Sequence, residues 1–241
     1  DVPGMAPYTV YVMREDRWLE LSEWPAARAE RISLALAGEE LLLPGQSAAE
    51  GGVRSFVSDP LDPVPTLGGA ICCTGNPEMR VGPVDQSPIE TRDDLLVYTS
   101  PPLEKPLRLA GPIEARLKVS ADVPDTDLVV RLTEVTPDGR AITISESGLR
   151  LRYRDGFDAP RMLKPGRVHD VTVGLPDIAW LVRPGHRLRL HVAGSSYPRL
   201  SRNMNGGGDP HREDTPRPAR IGVHSGPGAR SDITLTVLPD G

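Results

Sequence analysis

No Gly-x-Ser-x-Gly motif occurs anywhere between Asp1 and Gly241. That motif raises a strained, exposed Ser Oγ at a strand-to-helix turn, so its absence removes the usual nucleophile of an α/β-hydrolase. The βαβ alternation that builds such a sheet is missing too. Position 1 is Asp rather than Ser, Thr or Cys, so Asp1 is not expected to act as an N-terminal nucleophile that uses its own amine as base. Cysteine is scarce. The two present, Cys72 and Cys73, are too few for a disulfide framework and, being adjacent, could bridge only under strain. They read as free thiols, which fits a reducing, cytoplasmic setting. Aromatics make up only 4% of the chain. No apolar run approaches the roughly 18 residues of a membrane-spanning helix. The net charge of −5 argues against the basic face of a nucleic-acid binder. Neither a membrane nor a nucleic acid is therefore an expected partner. With no initiator Met and no signal peptide, the chain reads as an excised domain or a processed fragment.

Proline and glycine are plentiful, with 26 and 24 residues. That composition suits a turn-rich β protein. Period-two alternation dominates the rest. Ile113, Ala115, Leu117 and Val119 oppose Glu114, Arg116, Lys118 and Ser120. Leu149, Leu151 and Tyr153 alternate with arginines; Leu188, Leu190 and Val192 alternate with Arg187, Arg189 and His191; Ile233, Leu235 and Val237 alternate with Asp232, Thr234 and Thr236. Each run predicts a strand with one buried and one wet face. Asp138-Gly139 predicts a hairpin between residues 128–136 and 141–147. Pro165-Gly166 and Pro184-Gly185 mark further turns. Residues 23–30 are expected to form a short helical turn. Two irregular stretches interrupt the pattern: 58–86, expected to be ordered, and 197–220, expected to be partly mobile. One all-β, mostly antiparallel sandwich domain spanning residues 1–241 is the expectation.

Several short motifs follow one another in a set order. Pro63-Val-Pro-Thr-Leu-Gly-Gly69 leads to Asp85-Gln-Ser-Pro-Ile-Glu-Thr-Arg-Asp-Asp-Leu-Leu-Val-Tyr98. Then come Gly111-Pro-Ile-Glu-Ala-Arg116, Pro124-Asp-Thr-Asp127, Pro137-Asp-Gly-Arg140, Pro184-Gly-His-Arg187 and Gly194-Ser-Ser-Tyr-Pro-Arg-Leu-Ser-Arg-Asn203. In this order they resemble the C-terminal domain of X-Pro dipeptidyl-peptidases and of cocaine esterase-like (CocE/NonD) acyl hydrolases. The resemblance covers nearly the whole chain. It implies a jelly-roll, galactose-binding-domain-like sandwich rather than an immunoglobulin-like one. It also implies that the Ser, Asp and His of the catalytic triad lie in a preceding α/β-hydrolase domain, which this domain would brace as its partner. No triad residue transfers to this chain, and no cofactor is implied.

By the same resemblance, Ile71, Cys72 and Cys73 would line the rim of the hydrolase domain's acyl pocket. Free Cys also behaves as a small hydrophobe, so a buried β segment is the competing reading. Arg199, Arg202, Asn203 and Asn205 are the second candidate cluster: either a polar contact surface for the hydrolase domain or a solvated loop with local hydrogen bonds. Asp122, Asp125 and Asp127 could supply oxygen ligands to Ca²⁺. Against that, Asp caps turn amides at a strand entrance, and Arg140 or the arginines of 150–154 can pair with it. The five histidines show no zinc-ligand spacing. A second function class is a carbohydrate-binding sandwich, which needs exposed aromatic platforms. Only Trp18, Trp24 and Trp180 are available as tryptophans.

Overall fold

The structure is a computed structural model that describes residues 6–46, 50–71 and 80–239. Thirteen strands are described: β1 Tyr8–Val12, β2 Arg17–Leu21, β3 Glu30–Ala37, β4 Glu40–Leu42, β5 Gly52–Ser58, β6 Leu95–Thr99, β7 Leu107–Ala121, β8 Asp127–Val135, β9 Ala141–Arg150, β10 Val168–Val182, β11 Arg187–Ala193, β12 Ala219–Ser225 and β13 Asp232–Val237. The helical elements among the described residues are two single 3₁₀ turns, Ser87–Ile89 and Leu151–Tyr153.

Eight strands form the sandwich. One sheet runs β3-β13-β7-β10 and the other β6-β11-β8-β9, every pair antiparallel. This order, in which the first and last strands of the eight lie side by side, is that of a jelly roll, two Greek keys folded over one core. A single parallel pair, Glu40 of β4 with Thr99 of β6, joins the sheets at one side. β5 and β12 extend the first sheet beyond the end of β7. Leu34, Leu36, Ile113, Leu117, Val171 and Ile233 from one sheet pack against Tyr98, Leu128, Val130, Leu132, Leu188 and Leu190 from the other.

The hairpin at Asp138-Gly139 is as its residues dictate. Thr136 N–H reaches Arg140 O at 2.9 Å, Gly139 N–H reaches Thr136 O at 2.9 Å, and Gly139 sits at φ +89°, a conformation that favours glycine. Two local expectations fail. Residues 23–30 form bends and a turn, with Ala29 N–H bonded to Ala26 O at 2.7 Å, and no helix. Pro25 supplies no N–H there, and Trp24 is held by an Nε1–H bond to Asp177 at 2.6 Å. The alternation through Leu149, Leu151 and Tyr153 does not continue as a strand, because β9 ends at Arg150. The Asp125 carboxylate accepts both Arg152 N–H (2.9 Å) and Arg152 Nε–H (2.8 Å), and this pulls the backbone into the 3₁₀ turn.

The larger correction concerns the wet faces. The outer face of β7 is wet, as expected. That of β6-β11-β8-β9 is not. Every residue of β8 is buried, so both faces of that strand are covered. Val64 and Ile89 pack on the outward Leu95 and Ala193 in a second, smaller apolar cluster, with Leu67 and Val97 beside it. The segments around residues 60–71, 80–94 and 195–205 thus form a third layer over this sheet.

Candidate interdomain surface

Register places side chains of Val97, His191, Arg131 and Glu146 in one cross-strand row on the outward face of β6, β11, β8 and β9. Three of the four are polar or charged, and the third layer seals them in. Arg131 is 2% exposed, His191 1% and Glu146 6%. Burying unpaired charge is prohibitive, so the row must be neutralised internally. Glu146 forms ion pairs with Arg131 and with Arg199, and it accepts the Ser196 hydroxyl at 3.1 Å. His191 Nε2 meets Glu90 Oε1 at 2.9 Å and His191 Nδ1 lies 3.5 Å from Arg131 Nη1. Glu90 also takes an Arg189 guanidinium N–H at 2.5 Å. Burial, together with the nearby Arg131 charge, pushes the His191 pKa below its ordinary value. That leaves a neutral ring with Nε2–H facing Glu90. Burial opposes ionisation of Glu90, but hydrogen bonds from His191 and Arg189 outweigh it and hold the carboxyl below the usual range.

This network anchors the two stretches singled out in the sequence. Residues 64–66 run beside 195–199: Val64 N–H bonds Ser195 Oγ (2.9 Å), Tyr197 N–H bonds Val64 O (2.9 Å), and Thr66 N–H bonds Tyr197 O (2.7 Å). Thr66 Oγ1 meets Ser196 Oγ at 3.0 Å and accepts Arg199 N–H at 3.2 Å. The chain then turns through Gly68 (φ +64°) and Gly69 (φ +86°). Gly69 and Gly82 exchange two backbone bonds, at 2.8 and 2.9 Å, which close the neck of a loop. The Gln86 amide donates to Leu67 O (2.7 Å) and Val84 O (3.2 Å) across that neck. A Cβ on Gly68 would lie 2.7 Å from Gly82 O, so this neck tolerates only glycine there. Ile71 leaves the neck half-buried, its N–H bonded to Gly69 O at 2.9 Å. Cys72 and Cys73 lie outside the described residues.

The four residues of the second cluster do not act alike. Arg199 points inward to Glu146. Asn203 donates to Asp125 (3.0 Å) and Asp127 (2.7 Å), and Asn205, 1% exposed, donates to Arg217 O at 2.7 Å. Arg202 alone faces out; its guanidinium lies 5.6 Å above the half-exposed Tyr197 ring. The acidic trio divides as well. Asp125 pairs with Arg152 at 2.8 Å and Asp127 with Arg150 at 3.0 Å, while Asp122 caps Arg220 N–H at 2.8 Å. Arg140 pairs with Asp138 instead. Burial raises the Asp127 pKa, although Arg150 and Asn203 oppose it. Among the described residues no set of three or more His, Cys, Asp or Glu is placed to hold a metal.

Nothing in this arrangement is built for nucleophilic catalysis. Ser195 and Ser196 spend their hydroxyls on Val64, Thr66 and Glu146. Ser120 Oγ does meet His224 Nε2 at 2.9 Å, but among the described residues no carboxylate is bonded to that ring to orient it. The family model of the X-Pro dipeptidyl-peptidase C-terminal non-catalytic domain matches residues 3–234. The chain belongs to that family.

Its relatives agree in kind. The chain is 32% identical to the cocaine esterase of Rhodococcus sp. (strain MB1 Bresler) over 98% of its own length but only 42% of the esterase's. An aminopeptidase from a marine-sediment Thaumarchaeota archaeon superposes with a TM-score of 0.88 at 26% identity, covering 98% of this chain and 41% of that one. An α-amino acid ester hydrolase superposes with a TM-score of 0.86 at 28% identity, covering 96% and 41%. The chain thus spans less than half the length of each. Sequence reasoning missed the Glu90–His191–Arg131–Glu146 network that underlies the family's motif segments. The turn register alone would set Arg131 opposite Ser145; the bulge between Leu132 and Thr133 brings Glu146 there instead, so no local signal marked the pair.

Proposed function

We propose that this chain is the non-catalytic C-terminal jelly roll of a larger serine hydrolase of the CocE/NonD or X-Pro dipeptidyl-peptidase type. It braces the preceding α/β-hydrolase domain and presents Ile71, Cys72 and Cys73 to the rim of that domain's acyl pocket. One observation carries this reading. A loop of otherwise irregular sequence leaves a neck fixed by the Gly69–Gly82 pair and the Gln86 clamp, and that neck is tied to residues 195–199 over a buried ionic network. Such fixation is more than a solvated loop needs. It suits a loop whose tip must be held in register against another domain. The parent would cleave an ester or an X-Pro amide through an acyl-enzyme, with Ser as nucleophile and His as base supplied by the other domain.

The test compares Cys73→Arg in the full-length parent and in the isolated chain. A large charge at a joint surface should lower parent activity far more than it lowers the stability of the isolated domain. The cysteines should also react with a thiol reagent in the isolated chain and be protected in the parent. Equal protection in both would make them ordinary core residues and end the pocket-rim reading.

A further inference from the structure

The hairpin β1-β2 stands apart from the jelly roll. Among the described residues its strands pair with each other and form their own two-stranded sheet. Such a hairpin is marginal in water by itself. It touches the sandwich at its tip, where Met13 N–H bonds Ala179 O and Leu181 N–H bonds Met13 O, both at 3.0 Å, and where Val12 is fully buried.

Both faces carry apolar side chains, with Thr9 opposite Glu20 on one and Arg17 opposite Val12 on the other. Cross-strand register puts Tyr11 beside Trp18 on one face, their ring centroids 5.1 Å apart. It puts Tyr8 beside Leu21 and Val10 beside Leu19 on the other. The second face is partly covered, with Val12 buried and Val10, Leu19 and Leu21 half-buried, whereas the Tyr11–Trp18 face is open: Trp18 is 63% exposed and Tyr11 39%, and Tyr8 at the hairpin's open end is 44% exposed. The patch is continuous with the surface already described. A cleft of about 430 Å³ joins Tyr11, Arg14 and Asp16 of the hairpin to Pro83, Arg140 and Ile142 beside the loop neck.

We infer that the β1-β2 hairpin docks its open Tyr11–Trp18 face on the α/β-hydrolase domain that precedes this chain in the parent polypeptide. This rests on the function proposed above. One observation favours that occupant over a second copy of the chain: the family is one of C-terminal domains, and the relatives carry more than half their length outside the matched region.

The test is hydroxyl-radical footprinting of the full-length parent, with its catalytic serine titrated in parallel by a fluorophosphonate probe. Phe157, 79% exposed and outside the hairpin, is the internal reference. The expected result is loss of labelling at Trp18 and Tyr11 while Phe157 stays labelled, unchanged on dilution. Trp18→Ser combined with Tyr11→Ser should split the parent's single thermal transition into two. Trp18 labelled as heavily as Phe157 in a parent whose serine reacts would overturn the hairpin inference and leave the parent reading intact. Protection that disappears on dilution would assign the patch to self-association and overturn it too. A parent with no probe-reactive serine would overturn the hydrolase reading, and with it the occupant named here.

Discussion

Replacing Glu146 by Ala should be among the most damaging single changes to this domain. Glu146 is 6% exposed and accepts from two guanidinium groups and a hydroxyl. Arg199 is partly exposed and can turn toward water after the change. Arg131 cannot, because it is 2% exposed and lies between β11 and β9 under the third layer. Burial already lowers its pKa, and contact with Glu146 is the largest opposing influence. Removing one partner of a buried pair costs about 3–5 kcal/mol, because the other charge stays buried without compensation. At about 2–4 °C per kcal/mol for a chain of this size, the melting temperature should fall by roughly 6–20 °C. Differential scanning calorimetry and urea unfolding would both read the loss. A paired Arg131→Met, Glu146→Leu variant should recover most of it, since apolar replacements of similar volume are often neutral or better. A Glu146→Ala domain that melts within a degree or two of the wild type would refute the claim that this charge is buried. A double variant no better than the single one would refute the claim that the loss comes from the stranded Arg131.

Three further outcomes are expected. The His191 pKa is lowered in the fold, so the unfolded chain takes up its proton first as pH falls. Urea stability should therefore decline from about pH 6.5 down to the lowered folded value; the Glu90 contribution is lost only below the ordinary carboxylate range, and His191→Gln should flatten the first part of the curve. Asn203→Ala removes donors to two carboxylates and should cost about 1.5–3 kcal/mol in equilibrium unfolding, with little change in the denaturant slope. The purified chain should not hydrolyse p-nitrophenyl acetate or Gly-Pro-p-nitroanilide above a heat-killed control, and turnover blocked by a serine-directed inhibitor would contradict the non-catalytic reading.

The fold was largely legible because its signals are local. Ile113, Ala115, Leu117 and Val119 are all buried, as their alternation requires, and so are Leu188, Leu190 and Val192. The turn at Asp138-Gly139 set a register that the structure keeps, apart from one bulge between Leu132 and Thr133. Alternation failed where a tertiary partner outbid the strand. Arg152 looked like a wet-face residue, yet it is 4% exposed because Asp125 bonds both its backbone and its side chain. Thr234 and Thr236 also looked wet and are buried; Thr236 Oγ1 donates to Pro112 O at 2.8 Å, and Pro25 approaches the same spot. The segments that cover these positions are irregular, and irregular chain carries no period from which to predict where it lands.

The same limit explains why the candidate surface was only half visible. A motif such as Ser195-Ser-Tyr-Pro-Arg199 looks like an exposed polar loop when read alone, and its arginine looks free to meet a partner. Its real destination, Glu146, lies 53 residues away in sequence and becomes visible only once the outward face of β9 is known to be roofed. Charge on the outer face of an antiparallel sheet ordinarily means water. Here it means a second interface, because Arg131, Glu146 and His191 are complementary to one another and to Glu90 and Arg199 in the covering layer. An apolar outer face would hold that layer as tightly but would let it slide. Paired charges fix one register, since any shift strands a buried ion. The cost of the network in desolvation is then offset by a loop neck that stands in one place. A domain without catalytic groups of its own can contribute to chemistry in a neighbour only by holding its contact groups in one place.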